Sequence, residues 1–405
     1  MSYLDNLTSK EQQYLAALHL GLQAGTREHS KVKGAFFASA EELQKKFGDS
    51  YKTKCEKLFN VVDDSYHYND KKSKSYTKAF QFKKEIIAEL YNVTLQQSTK
   101  PRSGVENENY FTEKVQIEKL DYLVSKGVMA FKNIEHYIAA TMYCQVYNRE
   151  DGCNYVQYCR KSEKNLGRRF AQSPSLQSLP KIIREVLCEG THAEIDMTNA
   201  HPTIFLALAN AANIKAENIE RLVNNRAEVY NEVASFYGCD LKAAKTFMLQ
   251  TSYLCQLTYE VASQKAFTQW CDENSTSSSP AWEELVMAPV AIPFAKDYQK
   301  EIMQIIESWS ESTIFHFANG IKYKSRKASI MIQYIEDCLL QKMIDVLINH
   351  SIKIDALSFD GLCIRDPQNL TSEIINKMET AMNNWFRKIF KTNLDMKLSI
   401  KNYGA

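Results

Sequence analysis

Residues 193–212 read AEIDMTNAHPTIFLALANAA, and residues 353–366 read KIDALSFDGLCIRD. In the first stretch the run Ala193–Met197 predicts a short strand. Asn199 is placed to cap the helix that follows, and Pro202 fits its first turn. Asp196 therefore stands at a strand end, just before a helix. In the second stretch an apolar run, a tight turn at Asp360-Gly361 and a second apolar run predict a hairpin with Asp360 near its tip. Two carboxylates in such contexts can be brought side by side. Two-metal phosphoryl transfer uses that arrangement, with two Mg²⁺ ions held about 3.5–4 Å apart to clamp the attacking hydroxyl and the leaving oxygen. Magnesium takes hard oxygen ligands and keeps water or substrate phosphates in its shell. Taken singly, an aspartate beside a turn reads first as a cap or turn residue.

A third stretch adds weight. DLKAAKTFMLQTSYL, residues 240–254, places Lys245, Leu249 and Tyr253 at i, i+4 and i+8 on one helical face, with Lys242 close by. A cation, an apolar platform and a tyrosine in one line can meet the phosphates, base and sugar of one nucleotide. Lysine acts on phosphates as a point charge and can hand a proton to departing pyrophosphate. Read alone, the same pattern is an amphipathic surface helix with a buried tyrosine.

Working outward, VQYCRKSEKNLGRRFAQSPSLQSLPKIIR, residues 156–184, holds seven Lys/Arg and one acid, Glu163. Such a segment suits a groove lining, in which arginines reach phosphates and minor-groove edges. A surface loop is the alternative. Upstream, Lys71, Lys72, Lys74, Lys78, Lys83 and Lys84 alternate with Tyr66, Tyr68, Tyr76, Phe80 and Phe82. Lysine with aromatics fits a phosphate strand with stacked bases; a solvated loop or hairpin reads as well. Residues 1–155 otherwise look mainly helical, on the spacing of YLAALHLGL and FKKEIIAELYNV. Helices are predicted at 219–237, 240–264, 295–309, 329–350 and 371–391, an exposed connection at DENSTSSSPAWEE, and a closing strand at LDMKLSI.

The formal net charge is +2 over 405 residues, which excludes a wholly basic nucleic-acid coat and leaves phosphate binding to local patches. No basic-then-apolar leader and no long apolar run is present, so no membrane span and an intracellular location are expected. Ten cysteines are scattered without a CxxC pair and are expected to be reduced thiols. Cys153 and Cys159 with His192 form only a weak zinc pattern.

Taken in order, the segments resemble family A DNA polymerases and the single-subunit phage-type RNA polymerases. LGRRFAQSPSLQSLP is similar to their Gly-Arg segment that runs into Pro-x-Leu-Gln-x-x-Pro. EIDMTNAHPTI resembles motif A, whose Asp binds both metals. VYNEVASFYG and KAAKTFMLQTSY resemble the fingers and their nucleotide-binding helix. ALSFDGLCI resembles motif C. SIMIQYIEDCLLQKMI resembles the helix before motif C that carries a glutamine, here Gln333, into the minor groove. The match covers roughly residues 160–400. The pattern Asp-x-x-x-Ala-His-Pro is most similar to the transposon–virus polymerases of virophages and mobile elements, often joined to a helicase. No GxxxxGK[ST] occurs, so no helicase is expected within these residues.

The resemblance implies an α+β right-hand polymerase, with an antiparallel palm sheet and helical fingers. Residues 1–155 would be a helical N-terminal or thumb region, 156–212 the groove segment and first part of the palm, 213–310 the fingers, and 311–405 the second part of the palm. Asp196 and Asp360 would hold two Mg²⁺ ions, with Mn²⁺ as a substitute, and Lys245 would act in catalysis. Lys242, Lys245, Leu249, Tyr253 and His201 would bind the nucleotide. Arg168, Arg169, Gln177, Arg184 and Gln333 would bind DNA. The implied partners are a primed DNA template, nucleoside triphosphates and a replicative helicase; strand initiation as a primase is a further capacity. The chain departs from the pattern at Phe359 (usually His), Gly361 (often an acid), Leu241 (a cation), Leu254 (Gly) and His201. His201 stands where DNA polymerases carry the Glu that excludes a ribose 2′-OH, which leaves the sugar open. A small RNA polymerase, a metal-dependent nuclease and a non-catalytic nucleic-acid-binding replication protein are the competing readings. No Asp-x-Glu in residues 1–155 suggests a proofreading exonuclease.

Overall fold

The computed structural model describes residues 7, 11–12, 15, 28–29, 32–68, 76–83, 97–100, 109–132, 134–160, 167–254, 292–310, 312–319 and 321–404. The chain divides into two compact units. One comprises Met1–Cys159, Ala171–His192 and Asn402–Ala405; the other comprises Arg160–Phe170 and Ala193–Lys401.

The first unit opens with strands β1 (Glu28–His29), β2 (Val32–Ser39), β3 (Phe59–Tyr68) and β4 (Tyr76–Phe82), in a sheet of order β1-β2-β4-β3. Two short helices, α1 (Ala40–Phe47) and α2 (Tyr51–Leu58), join β2 to β3. The pairing is antiparallel, with Phe80 opposite both Phe36 and Val61. A mainly helical reading of residues 1–155 missed this sheet. The strands are rich in aromatic and β-branched residues, as VKGAFFAS and YTKAFQF, and those pack well on a pleated surface. The stretches YLAALHLGL and FKKEIIAELYNV lie almost wholly outside the described residues, as do Lys71, Lys72, Lys74 and Lys84.

Further on, β5 (Tyr110–Glu113) pairs antiparallel with β6 (Asn154–Arg160), and a short strand β7 (Arg169–Ala171) follows in the chain. Helix α3 (Ile117–Ser125) packs on α4 (Ile134–Val146) and α5 (Lys181–Cys188). At the centre sits Glu113, with no exposed surface. Its carboxylate accepts from the Tyr143 hydroxyl at 2.8 Å, Asn154 Nδ2 at 3.0 Å and the Leu176 backbone N–H at 2.8 Å. A buried charge is tolerable only when its lone pairs are filled in this way.

The second unit is built on a sheet of order β11-β8-β10-β9, from β8 (His192–Met197), β9 (Ile354–Ser358), β10 (Gly361–Arg365) and β11 (Leu398–Asn402). Along β8, Ala193, Ile195 and Met197 are buried, while Glu194 and Asp196 face the other way, as a two-residue period requires. Helix α6 (Ala200–Ala211) follows at once. Its N-cap, Asn199, is left-handed at φ 53° and makes no side-chain cap bond, so the expected cap is positional only.

Helices α7 (Glu217–Asn224), α8 (Arg226–Tyr237), α9 (Leu241–Ser252) and α10 (Pro293–Trp309) form a cluster in which α7 packs on α8, α8 on α9, and α10 on both α9 and α7. The sequence predicts one helix over 219–237; the structure breaks it at Asn225. Glu301 of α10 accepts from the Asn218 and Ile219 backbone N–H groups, both at 2.9 Å. It thereby satisfies donors that every helix N-terminus leaves open. Residues 255–291, including DENSTSSSPAWEE, lie outside the described residues. Two long helices, α11 (Lys324–Asn349) and α12 (Ser372–Phe390), pack together, and α11 also packs on α6. Leu339, Leu340 and Met343 of α11 and Met378, Met382 and Phe386 of α12 are all buried. Among the described residues no helix is long and apolar enough to cross a membrane.

Candidate active site

Strands β8 and β10 are neighbours, and the Met197 backbone N–H donates to the Asp360 carbonyl at 3.0 Å. Asp360 thus accepts the inter-strand bond itself, and Asp196 is one residue from its donor. The hairpin turn lies one position earlier than the sequence predicts. Ser358 pairs with Gly361, so the two loop residues are Phe359 and Asp360, and Gly361 opens β10. Phe359 carries φ 57°, an uncommon conformation for an aromatic residue. Two contacts hold it there: its ring lies 4.9 Å below the Arg168 guanidinium and 5.5 Å from the Phe170 ring. Gly361 has its own reason. A Cβ at that position would lie 2.0 Å from Asp196 Oδ1 and 2.6 Å from the Ile195 carbonyl oxygen. Only glycine lets β10 pass this close to Asp196 and the Ile195 carbonyl.

Burial pushes the Asp360 carboxyl above its ordinary value, and the Glu336 carboxylate adds to the shift. A carboxylate so placed is favoured by a nearby cation. Aspartate carboxylates offer hard oxygens, the donor type that a magnesium-type ion takes.

The helix bearing the predicted lysines is α9. Asp240 caps it, accepting from the Ala243 N–H at 2.7 Å. Ala243, Ala244, Phe247 and Met248 face the core, whereas Lys242, Lys245 and Leu249 are exposed. Lys245 lies 6.0 Å from the Tyr230 ring centroid. Tyr253 ends the helix half-buried, and burial pushes its hydroxyl up to about 12.

Tyr253 leads into a polar cluster that the sequence reading missed. His201 Nε2 lies 3.3 Å from the Tyr253 hydroxyl, 3.2 Å from Glu336 Oε1 and 3.2 Å from Arg168 Nη2. The His201 and Tyr253 rings meet edge to face, 5.1 Å apart. Arg168 grips Glu336 with two bonds, Nε to Oε2 at 2.6 Å and Nη2 to Oε1 at 2.9 Å. Glu336 itself has no exposed surface. Burial opposes its ionisation, but the bonds from His201 and Arg168 outweigh that and lower its pKa to about 2. Gln333, one turn earlier on α11, bonds Ser329 at 3.0 Å and also reaches the Tyr253 side chain. Gly167 packs on that glutamine; a Cβ there would lie 3.4 Å from Gln333 Oε1.

The remaining basic residues are placed differently. Arg169 is 2% exposed and donates to Asp337 at 2.8 Å and Gln341 at 3.0 Å. Arg160 donates to Asp337 as well, at 3.0 Å through Nε. In the first unit, Gln177 accepts from the Ala171 backbone N–H at 2.9 Å, and Arg184 donates to the Leu179 carbonyl at 3.1 Å. The signal for the missed partners was present as the acidic pair Glu336-Asp337 inside an otherwise apolar helix face, three residues beyond Gln333.

No protein-family profile matches the chain. A curated Sputnik virophage protein named "Putative helicase V13" is 24% identical over 259 residues, which is 62% of this chain and 30% of that protein. Most of that protein thus lies outside the match. Among solved structures, the POL domain of Pol1 from M. smegmatis, in complex with DNA primer-template and dNTP, aligns with 80% of this chain and 61% of that one, at 12% identity and a TM-score of 0.42.

Proposed function

We infer that the chain is a template-directed DNA polymerase that uses two divalent cations. The observation that carries this reading is the pairing of β8 and β10, in which Met197, the neighbour of Asp196, donates to the Asp360 carbonyl and Gly361 packs against Asp196. Asp196 and Asp360 would hold two Mg²⁺ ions, with Mn²⁺ able to replace them. When bound, such ions lower the cost of charge on the attacking and leaving oxygens. On this reading β8–β11 belong to the palm, residues 213–310 to the fingers, and residues 1–155 to a thumb or N-terminal region.

The exposed Lys242 and Lys245 would hold the triphosphate, and Leu249, 48% exposed, would support the base. Tyr253 and His201 would face the sugar. Gln333 and Arg168 would approach the primer–template, and Gln177 and Arg184 would also bind DNA. Arg169 has less to offer DNA, because its guanidinium is buried against Asp337. The virophage relative, named as a helicase, suggests a replicative helicase as a partner. An intracellular site of action and the ability to start strands accompany the same reading.

The test is primer extension. The protein is incubated with a primed DNA template, Mg²⁺ and either dNTPs or NTPs. Extension with dNTPs supports the DNA polymerase, and extension with NTPs alone supports a single-subunit RNA polymerase. Template binding without extension in either mixture leaves a non-catalytic replication protein.

A further inference from the structure

Glu336 is the feature that the reading above leaves without a task. It is a fully buried carboxylate on α11, and it touches His201, the residue that stands against Tyr253. Buried ion pairs give little net stability, because desolvation offsets their attraction. Removing Glu336 alone would cost stability by stranding the Arg168 charge, but a well-packed apolar cluster in place of the whole pair could fold as well.

Three groups approach the same ring nitrogen. As an N–H, His201 Nε2 can donate to Glu336; as a lone pair, it can only accept, from Tyr253 or from Arg168. The negative charge of Glu336 favours the N–H form and ties the ring to α11. Arg168 completes the anchor by fixing both carboxylate oxygens. This bond and the edge-to-face contact with Tyr253 hold the ring in one orientation.

We propose that Glu336 is the positioning residue for sugar choice: it pins His201 against Tyr253, and the pinned imidazole excludes a ribose 2′-hydroxyl. The inference rests on the polymerase reading. It differs from a plain structural role because it acts on one substrate and through one neighbour.

The experiment measures kcat and KM for dNTP and NTP incorporation on a primed template, for the wild type, E336Q, H201A and the double variant. Glutamine keeps the shape but removes the charge that orients the ring. E336Q raises relative use of NTP about tenfold, on the order of 1.4 kcal/mol, mainly by lowering KM for NTP. H201A does the same, and the double variant adds nothing further, as expected for two residues acting as one unit. E336D keeps a charge for Arg168 and draws the carboxylate back by one methylene; it shifts the ratio in the same direction and carries the test if E336Q does not fold. An unchanged ratio in a folded E336 variant, equal losses with both sugars, additive effects in the double variant, or a shift toward dNTP each overturns the proposal while wild-type extension keeps the polymerase reading. A wild type that extends with neither nucleotide overturns both.

Discussion

Asp196 and Asp360 are placed on neighbouring strands by backbone pairing, so their chemistry can be removed without removing the fold. Asn is isosteric with Asp and keeps a neutral oxygen, but it loses the charge that would anchor a cation. On the proposed mechanism, Asp196→Asn or Asp360→Asn reduces nucleotide incorporation at least a thousandfold, while a gel-shift assay shows primer–template affinity within a few-fold of wild type. Phosphate contacts made elsewhere account for the retained affinity. Near-normal turnover by Asp360→Asn would remove the hairpin acid from the mechanism. Glu336 supports a separate prediction about stability. Its folded pKa is lowered to about 2 from an ordinary 4.5, so its contribution is present above about pH 4.5 and is lost as pH falls through 2. Urea midpoints of the wild type and E336Q therefore converge as pH drops from 5 toward 2.5. A constant gap between the two would mean that Glu336 titrates normally.

The hairpin of β9 and β10 shows how one turn fixes a site. A two-residue loop puts Phe359 in the left-handed region and Asp360 beside β8. Gly361 then passes within reach of Asp196 and Ile195, where no side chain fits. The Asp196 carboxylate could rotate away from a new methyl group, but the Ile195 carbonyl is backbone and cannot. Gly361→Ala is expected to destabilise the protein by about 1–3 kcal/mol, in the range of core overpacking, and to lower incorporation more than template binding. Chemical denaturation and the extension assay read the two effects. A fully active and equally stable Gly361→Ala would show that β8 and β10 are farther apart in solution.

For the chain as a whole, the first unit is discontinuous, and that has a consequence for folding. Its core needs Leu176, Leu179, Ile183 and Leu187 from the 171–192 segment, all buried. Glu113 needs the Leu176 N–H from the same segment. A fragment of residues 1–159 would leave that carboxylate one donor short, at a cost of about 1–3 kcal/mol, and would lose four apolar side chains besides. The expectation is that residues 1–192 melt cooperatively while residues 1–159 do not, as read by circular dichroism. A cooperative melt of 1–159 alone would mean that the later segment is dispensable.

The periodic features were legible in the sequence. The short run Ala193–Met197 gave β8 with Asp196 near its end, and the helical patterns gave α9, α10, α11 and α12 to within a few residues except at the C-terminal end of α9, where the described helix stops at Ser252. These are local signals, set by which side of a strand or helix each residue faces. The two-residue turn was misplaced by one position, because Asp-Gly is the commoner turn pair and the constraint on Gly361 comes from a strand about 165 residues earlier. Charge was the least legible. The seven cations of residues 156–184 read as an open basic groove, yet Arg160, Arg168 and Arg169 are held by Asp337 and Glu336. Their partners lie on α11, 168 to 177 residues away. Charge density along a chain is a local quantity, but neutralisation depends on which acids the fold brings within about 4 Å, and only packing the segment against α11 supplies that.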